Sequence, residues 1–196
     1  KYHNEKQIVK IRYNKNIYRF ETKLIGKIQI KNILMATMAA TKSSLSFKKI
    51  INTIDNLKPV SGRLEQVGII KNNSKVILDY AHTPDALEAS LRSLKEQFKN
   101  KQISIVFGCG GERDKAKRPM MGKIANQYCD RIYLTDDNPR YENPKTIRKS
   151  LTRLFSCHSF HRLESTMWCL RRTLLPLIET SYRFQVSTAL VNHLLD

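Results

Sequence analysis

The chain has 196 residues, 41% of them apolar, with 35 basic against 17 acidic side chains and a formal net charge of +18. That content is enough for the core of one full domain plus part of another. No apolar run approaches the ~20 residues that span a bilayer and no signal-peptide pattern opens the chain, which predicts a soluble, cytoplasmic protein. The charge raises nucleic-acid binding as a function class, yet the lysines are scattered without a polybasic block and accompany abundant Asn and Ile, so composition accounts for much of it. Cys109, Cys129, Cys157 and Cys169 are irregularly spaced, which argues against a disulfide framework or a zinc ribbon and for reduced thiols. The chain starts at Lys1, inside what reads as a strand, which predicts the downstream part of something longer.

Apolar and polar residues alternate over Gln7 to Tyr13 and Ile17 to Lys23 around Asn14-Lys15-Asn16, a hairpin signal. Ile30, Ile33, Leu34 and Met38 recur at helical spacing over Ile28 to Thr41, and a second helix is expected over about Ser46 to Leu57 with Ser46 as its N-cap. Pro59-Val60-Ser61-Gly62 ends it, and a domain boundary is placed there, giving an N-terminal region of residues 1–60.

The rhythm then changes. A segment Gly62 to Val67 and a turn at Lys71 to Ser74 lead into the apolar strand Val76-Ile77-Leu78-Asp79-Tyr80. Thr83 and Pro84 are a good N-cap and first residue for a helix to about Lys99. Then come the strand Ile103 to Phe107, the loop Gly108-Cys109-Gly110-Gly111-Glu112-Arg113-Asp114-Lys115-Ala116-Lys117-Arg118-Pro119, a helix to Tyr128, the strand Arg131 to Thr135, and a helix after Asn143-Pro144. Strands alternating with helices predict an α/β fold, a Rossmann-like open, mostly parallel sheet with helices on both faces.

In such sheets ligands bind beyond the carboxyl ends of the strands. Three polar loops are expected on that edge: Asp79 to His82, the glycine loop, and Asp136 to Arg140. Glycines allow close approach of backbone N–H groups to an anion, and Arg113, Lys115, Lys117 and Arg118 crowd the same turn, so the loop reads as an anion-recognition site. Asp79 at a strand end suits ribose hydroxyls, with His82 either a neighbouring contact or a simple cap. Asp137, Asn138 and Arg140 offer a carboxylate, an amide and a guanidinium, suited to a zwitterionic amino acid; the alternative is an Asx-Pro turn feeding the next helix.

Gly62-Arg63-Leu64-Glu65, Asp79-Tyr80-Ala81-His82-Thr83-Pro84-Asp85-Ala86-Leu87, Phe107 to Asp114 with Lys117-Arg118-Pro119, and Thr135-Asp136-Asp137-Asn138-Pro139-Arg140 together resemble the Mur ligases, and among them the members that add meso-diaminopimelate during peptidoglycan synthesis. The resemblance runs from about Leu24 to Ser150 and covers the end of a central ATPase domain plus the C-terminal Rossmann-like domain. It implies ATP- and Mg²⁺-dependent amide formation: the γ-phosphoryl activates the D-glutamyl carboxylate of UDP-N-acetylmuramoyl-L-alanyl-D-glutamate, and the diaminopimelate amine attacks. By match of motif, Asn32 contacts adenine, Arg63 the ATP phosphates and Asp79 the ribose, with His82 nearby. Arg113, Asp137, Asn138 and Arg140 bind diaminopimelate, and Arg140 favours it over lysine.

Two departures stand beside the resemblance. The family's phosphate-binding loop, its Mg²⁺ ligands and its UDP-binding domain are not in this sequence, so no catalytic residue is assigned. Residues 151–196 hold none of the 21 lysines and none of the 7 glycines, and they lack the family's Gly-Lys-Gly-His-Glu motif. A change of reading frame near residue 151 is expected, leaving an atypical tail and a sheet underfilled and exposed at its edge. A zinc site from Cys157, His158, His161 and Cys169, and an amphipathic helix from Trp168 to Ile178 interrupted by Pro176, are weaker readings of that tail. Three functions compete: a portion of the ligase completed by an N-terminal half in another chain, an inactive remnant, and a basic nucleic-acid-binding module.

Overall fold

The structure is a computed structural model, which describes residues 2–3, 6–70, 73–154, 160–162 and 188–193. Strands β1 (Tyr2–His3), β2 (Lys6–Tyr13) and β3 (Asn16–Thr22) form an antiparallel sheet in that order. The β2–β3 register closes at Tyr13 opposite Asn16, with Asn14 and Lys15 both at positive φ, 46° and 65°. Such a turn matches the right-handed twist of paired strands, and the Asn of the pair tolerates the left-handed region.

Helix α1 (Lys27–Lys42) follows, then α2 (Phe47–Thr53), which tightens into a 3₁₀ turn over Ile54–Asn56. Ser46 occupies the N-cap position of α2 as expected, but its side chain makes no capping hydrogen bond. Phe20, Leu24, Ile33, Phe47, Ile51 and Ile54 form one buried cluster, with the Tyr13 and Phe47 rings stacked at 4.1 Å. Successive residues then serve two cores, since Leu24 belongs to this cluster and Ile25 to that of the larger sheet. The Gly26 N–H donates to Gln97 Oε1 at 3.2 Å, and Gln7 Nε2 donates to the Leu24 and Gly26 carbonyls at 2.6 and 3.1 Å.

The larger sheet comprises β4 (Glu65–Ile70), β5 (Ser74–Asp79), β6 (Gln102–Phe107), β7 (Arg131–Leu134), β8 (Phe160–Arg162) and β9 (Thr188–His193), in the spatial order β4-β5-β9-β6-β7-β8. Pairs β6–β7 and β7–β8 are parallel, while β4–β5, β5–β9 and β9–β6 are antiparallel. Strands β5 to β8 therefore all point one way, against β4 and β9. Their carboxyl ends share one edge, as the βαβ rhythm predicts. β5 and β6 are buried almost throughout, Val76 to Asp79 and Ile103 to Phe107, the pattern of strands covered on both faces.

Helices α3 (Pro84–Gln97), α4 (Lys117–Tyr128) and α5 (Pro144–Leu151) make the crossovers and pack in sequence, α3 on α4 and α4 on α5. All three crossovers step in the same direction across the sheet, so a fixed handedness sets these helices side by side on one face. Leu87, Leu91 and Leu94 of α3, Met121 and Ala125 of α4, and Ile147 and Leu151 of α5 are the apolar core residues of that layer. The Thr83 cap is present: its Oγ1 accepts from Ala86 N at 3.4 Å, with Pro84 opening α3. Asn143 caps α5 in the same way, accepting from Lys145 N at 2.9 Å.

The tail corrects one expectation. β9 lies between β5 and β6 and pairs with both, Thr188 standing opposite Asp79 and Phe107, while β8 extends the sheet beyond β7. The underfilled sheet is therefore not found; six extended residues, Thr188–His193, supply the backbone groups that the neighbouring strands require. Cys157, His158, Cys169 and the Trp168 to Ile178 segment lie outside the described residues, as does most of the stretch expected to follow a frame change. Among the described residues, Cys109 and Cys129 are buried and not in disulfides, and burial pushes both thiols up. No helix among them is long and apolar enough to cross a membrane.

Candidate functional site

The carboxyl edge carries the loops that follow β5, β6 and β7. Beside β5, the Asp79 carboxylate is only 7% exposed, and both of its oxygens are engaged: Oδ1 accepts from Leu64 N at 3.1 Å and Oδ2 from Ser90 Oγ at 2.6 Å. It ties the Arg63 turn to α3, so Asp79 faces the protein rather than open solvent. Tyr80 points outward, with the Arg63 guanidinium 4.9 Å from its ring centroid and the His82 ring edge-on at 5.2 Å. His82 Nδ1 lies 3.1 Å from the Tyr80 carbonyl. Asn32 joins this group indirectly: its Nδ2 donates to Gln29 Oε1 at 3.5 Å, and Gln29 Nε2 donates to the Arg63 carbonyl at 3.3 Å. The structure thus gathers Asn32, Arg63 and His82 on one side of the edge, around a ring that the sequence reading had not assigned.

The loop after β6 shows why its glycines are there. A Cβ on Gly111 would stand 1.8 Å from the Pro139 carbonyl oxygen, and one on Gly108 would stand 2.5 Å from that of Thr135. Backbone from the β7 loop fills the space a side chain needs. Phe107 O accepts from Thr135 N at 3.0 Å, Asn138 O accepts from Gly111 N at 2.8 Å, and Arg140 Nη1 donates to Gly111 O. The glycines serve loop-to-loop contact first.

The four cations of this loop do different jobs. Lys117 Nζ donates to the His82 carbonyl at 2.7 Å, linking the β5 and β6 loops. Arg118 is 2% exposed and grips Glu142 with both terminal nitrogens, at 2.9 and 3.0 Å. Lys115 stands 3.7 Å from Glu142. Among the described residues, no hydrogen bond or ion pair engages Arg113, which is exposed. The expectation of four anion-binding cations is therefore corrected for Lys117 and Arg118, whose charged ends are engaged inside the protein, while Arg113 is exposed and unengaged among the described residues.

In the loop after β7, Asn138 Oδ1 accepts from Arg140 N at 3.2 Å and Pro139 O accepts from Glu142 N at 3.0 Å, so the Asx turn is present. It does not exclude a binding role. Around Gly110, a Cβ would lie 3.4 Å from Arg140 Nη1 and 3.6 Å from Asp137 Oδ2, so a guanidinium and a carboxylate flank the same backbone carbon. Asp136 is taken by Arg148 of α5. Glu142 was missed by the sequence reading. Its carboxyl is held down to about 2 by the Arg118 guanidinium, helped by the Glu112 N–H and by Lys115. The signal that could have found it is an acidic residue just past the Asn-Pro turn, facing a loop with excess cations.

Among the described residues, no three His, Cys, Asp or Glu side chains are grouped to hold a metal ion. The edge carries an exposed aromatic, cationic and imidazole cluster beside β5, and an Arg118–Glu142 ion pair between the β6 and β7 loops.

Comparison with known proteins gives the same region. The family described as Mur ligase, glutamate ligase domain, matches residues 62–175. A protein of Rickettsia bellii named UDP-N-acetylmuramoyl-L-alanyl-D-glutamate–2,6-diaminopimelate ligase is 48% identical over 139 residues, covering 70% of this chain and 28% of the relative. Its namesake from Rickettsia conorii is 42% identical over 146 residues, covering 74% and 30%. A solved structure bearing the same enzyme name superposes with a TM-score of 0.59 at 27% identity, over 92% of this chain and 35% of that one. The chain thus spans under a third of the length of these curated relatives. With its glycine loop, its Asp-Asn-Pro-Arg turn and its sheet all falling within or overlapping the matched segment, the chain belongs to the Mur ligase family.

Proposed function

We propose that this chain is a portion of an ATP-dependent peptide ligase that adds meso-diaminopimelate to UDP-N-acetylmuramoyl-L-alanyl-D-glutamate in the cytoplasm, and that its share of the work is to hold the incoming amino acid. The observation that carries this reading is that Asp137 Oδ2 and Arg140 Nη1 both approach the space above Gly110, with Arg113 exposed on the same loop and without a hydrogen bond or ion pair among the described residues. A carboxylate matches an ammonium and a guanidinium fork matches a carboxylate, so Asp137 and Arg140 complement one zwitterionic end. Arg113 then meets a carboxylate of the ligand, and Asn138 contributes its side-chain amide. Fixing the ligand in this way presents its other amine for attack, and positioning of this kind supplies much of the acceleration in bimolecular reactions.

Arg63, Tyr80 and His82, with Asn32 reached through Gln29, fit the aromatic and anionic parts of a nucleotide. When bound, ATP supplies the phosphoryl group that activates the D-glutamyl carboxylate. Asp79 supports that site chiefly by holding the Arg63 turn, since its oxygens already accept from Leu64 and Ser90. The described residues do not fit a Mg²⁺ site, and no step is assigned to that ion here. In this reading residues 1–60 are the end of a central ATP-binding domain, residues 61–150 the C-terminal domain, and residues 151–196 an atypical tail.

The test is calorimetric titration of the purified chain with meso-diaminopimelate, with L-lysine as control and Arg140→Ala alongside. Selective binding lost in the variant is expected. No binding by a folded chain would overturn the reading and leave an inactive remnant of the ligase.

A further inference from the structure

Arg118 is an unusual residue for the first turn of a helix. A cation there opposes the positive end of the helix dipole, and a buried guanidinium also loses its hydration. The side chain is nevertheless 2% exposed, with Nε buried and without a hydrogen-bond partner among the described residues. Its terminal nitrogens meet Glu142 at 2.9 and 3.0 Å, and Nη2 also donates to the Gly110 carbonyl at 3.1 Å. Glu142 in turn accepts from the Glu112 N–H at 2.6 Å. One carboxylate from the β7 loop is thereby bonded to the backbone of the glycine loop and to the start of α4.

Stability alone does not call for this arrangement. An apolar pair of similar volume commonly stabilises a protein as well as a buried ion pair does. The sheet edge is already closed by the Thr135 N–H donating to Phe107 O. What the pair adds is definition where the backbone is least relaxed: Glu112 and Arg140, one in each loop, both sit at a φ of 51°, a conformation that non-glycine residues keep only when their surroundings over-determine it. The direct ligand contacts of the proposed function, Arg113 on one loop and Asp137 to Arg140 on the other, lie on the two sides of this joint.

We infer that Arg118 and Glu142 are positioning residues: their bidentate pair locks the β6 and β7 loops into one unit and so sets the separation of Arg113 from Asp137 and Arg140. This rests on the diaminopimelate reading above. Neither residue touches the ligand. Their effect is exerted on affinity through loop geometry, in addition to any effect on folding.

The experiment compares the wild-type chain with Glu142→Gln, which keeps the shape and removes the charge, and with Glu142→Asp, which keeps the charge and withdraws it by one methylene. Amide hydrogen exchange is read at Gly111 and Glu112 against Ile105 and Ile132 in the strands, and meso-diaminopimelate is titrated at a temperature where circular dichroism shows every variant folded. In Glu142→Gln, exchange at Gly111 and Glu112 is expected to accelerate selectively, and affinity to fall roughly 10- to 100-fold, the scale of loss when a supporting partner is removed from behind the direct ligands of a metal. Glu142→Asp, the arm that decides if the Gln variant fails to fold, is expected to show the same pattern more weakly. Affinity within twofold of wild type in a folded variant would overturn the positioning role and leave the ligand reading standing. No binding by the wild-type chain would overturn the ligand reading; local exchange alone then decides the joint, and an unchanged rate at Gly111 and Glu112 would overturn that as well.

Discussion

The two halves of the sheet's carboxyl edge are held by different physics. Between β6 and β7 the loops are knitted through backbone contacts too close for side chains, a part-buried bidentate ion pair and two left-handed residues. Beside β5, Tyr80, Arg63 and His82 cluster in solvent, His82 edge-on to the Tyr80 ring, and the firm anchor is Asp79 beside them. A site that must discriminate one zwitterion from another gains from fixed charges, since misplaced guanidinium forks lose their bidentate geometry. A surface that meets an aromatic ring and a flexible polyanion gains less from such definition. The same edge thus carries a rigid half and an adaptable half.

That contrast is most severely stressed by Gly111→Ala. With Pro139 O at 1.8 Å from the new Cβ, the loops must part, and a loss on the order of 3 kcal/mol is expected in urea unfolding, at the upper end of single-substitution effects. A wild-type midpoint would break the claim that the loops are in backbone contact. Asp79→Asn probes the other half. It replaces one acceptor by a donor, so that either Leu64 N–H loses its partner or the Ser90 hydroxyl must turn round to accept, for an expected cost of about 1–3 kcal/mol, read as a lowered urea midpoint.

A pH series sharpens the comparison further. The Glu142 carboxyl lies at about 2 in the folded protein against an ordinary 4.5. Because its folded value is depressed, its contribution to stability is fully present above about 4.5 and is lost as pH falls through about 2. Unfolding followed across that window is expected to show a steeper decline in the wild type than in Glu142→Gln. Parallel curves would mean that the pair contributes nothing to folding. The smallest effect is expected at Tyr80→Ala: the Arg63–Tyr80 contact is solvent-exposed, and such cation–π pairs are worth ~0.5–1 kcal/mol, so stability barely moves.

How far the sequence reached is best seen residue by residue. The βαβ rhythm, the Thr83 cap, the Pro-started helix after Asn143-Pro144 and the convergence of three loops on one edge were legible because each rests on local chemistry: Pro at the first helical position, and apolar runs bounded by polar turns. Arg113 and Arg118 looked alike in sequence. Only the packing distinguishes the partnerless one from the buried one, because the carboxylate that captures Arg118 comes from 24 positions away. Asp79 was read correctly as a strand-end carboxylate, but the groups that occupy it, Leu64 N–H and Ser90, arrive from a preceding turn and a following helix. The place of β9 between β5 and β6 was not legible either, since strand order depends on backbone pairing that no local pattern encodes.

The central claim, that the β6 and β7 loops form a single amino-acid site, is tested most directly by following backbone amide resonances while meso-diaminopimelate is added to the full chain. The account predicts that Gly110, Gly111, Arg113, Asp137 and Arg140 shift together along one saturation curve, with Arg63 and His82 unmoved. Shifts confined to one loop, or appearing first beside β5, would contradict it.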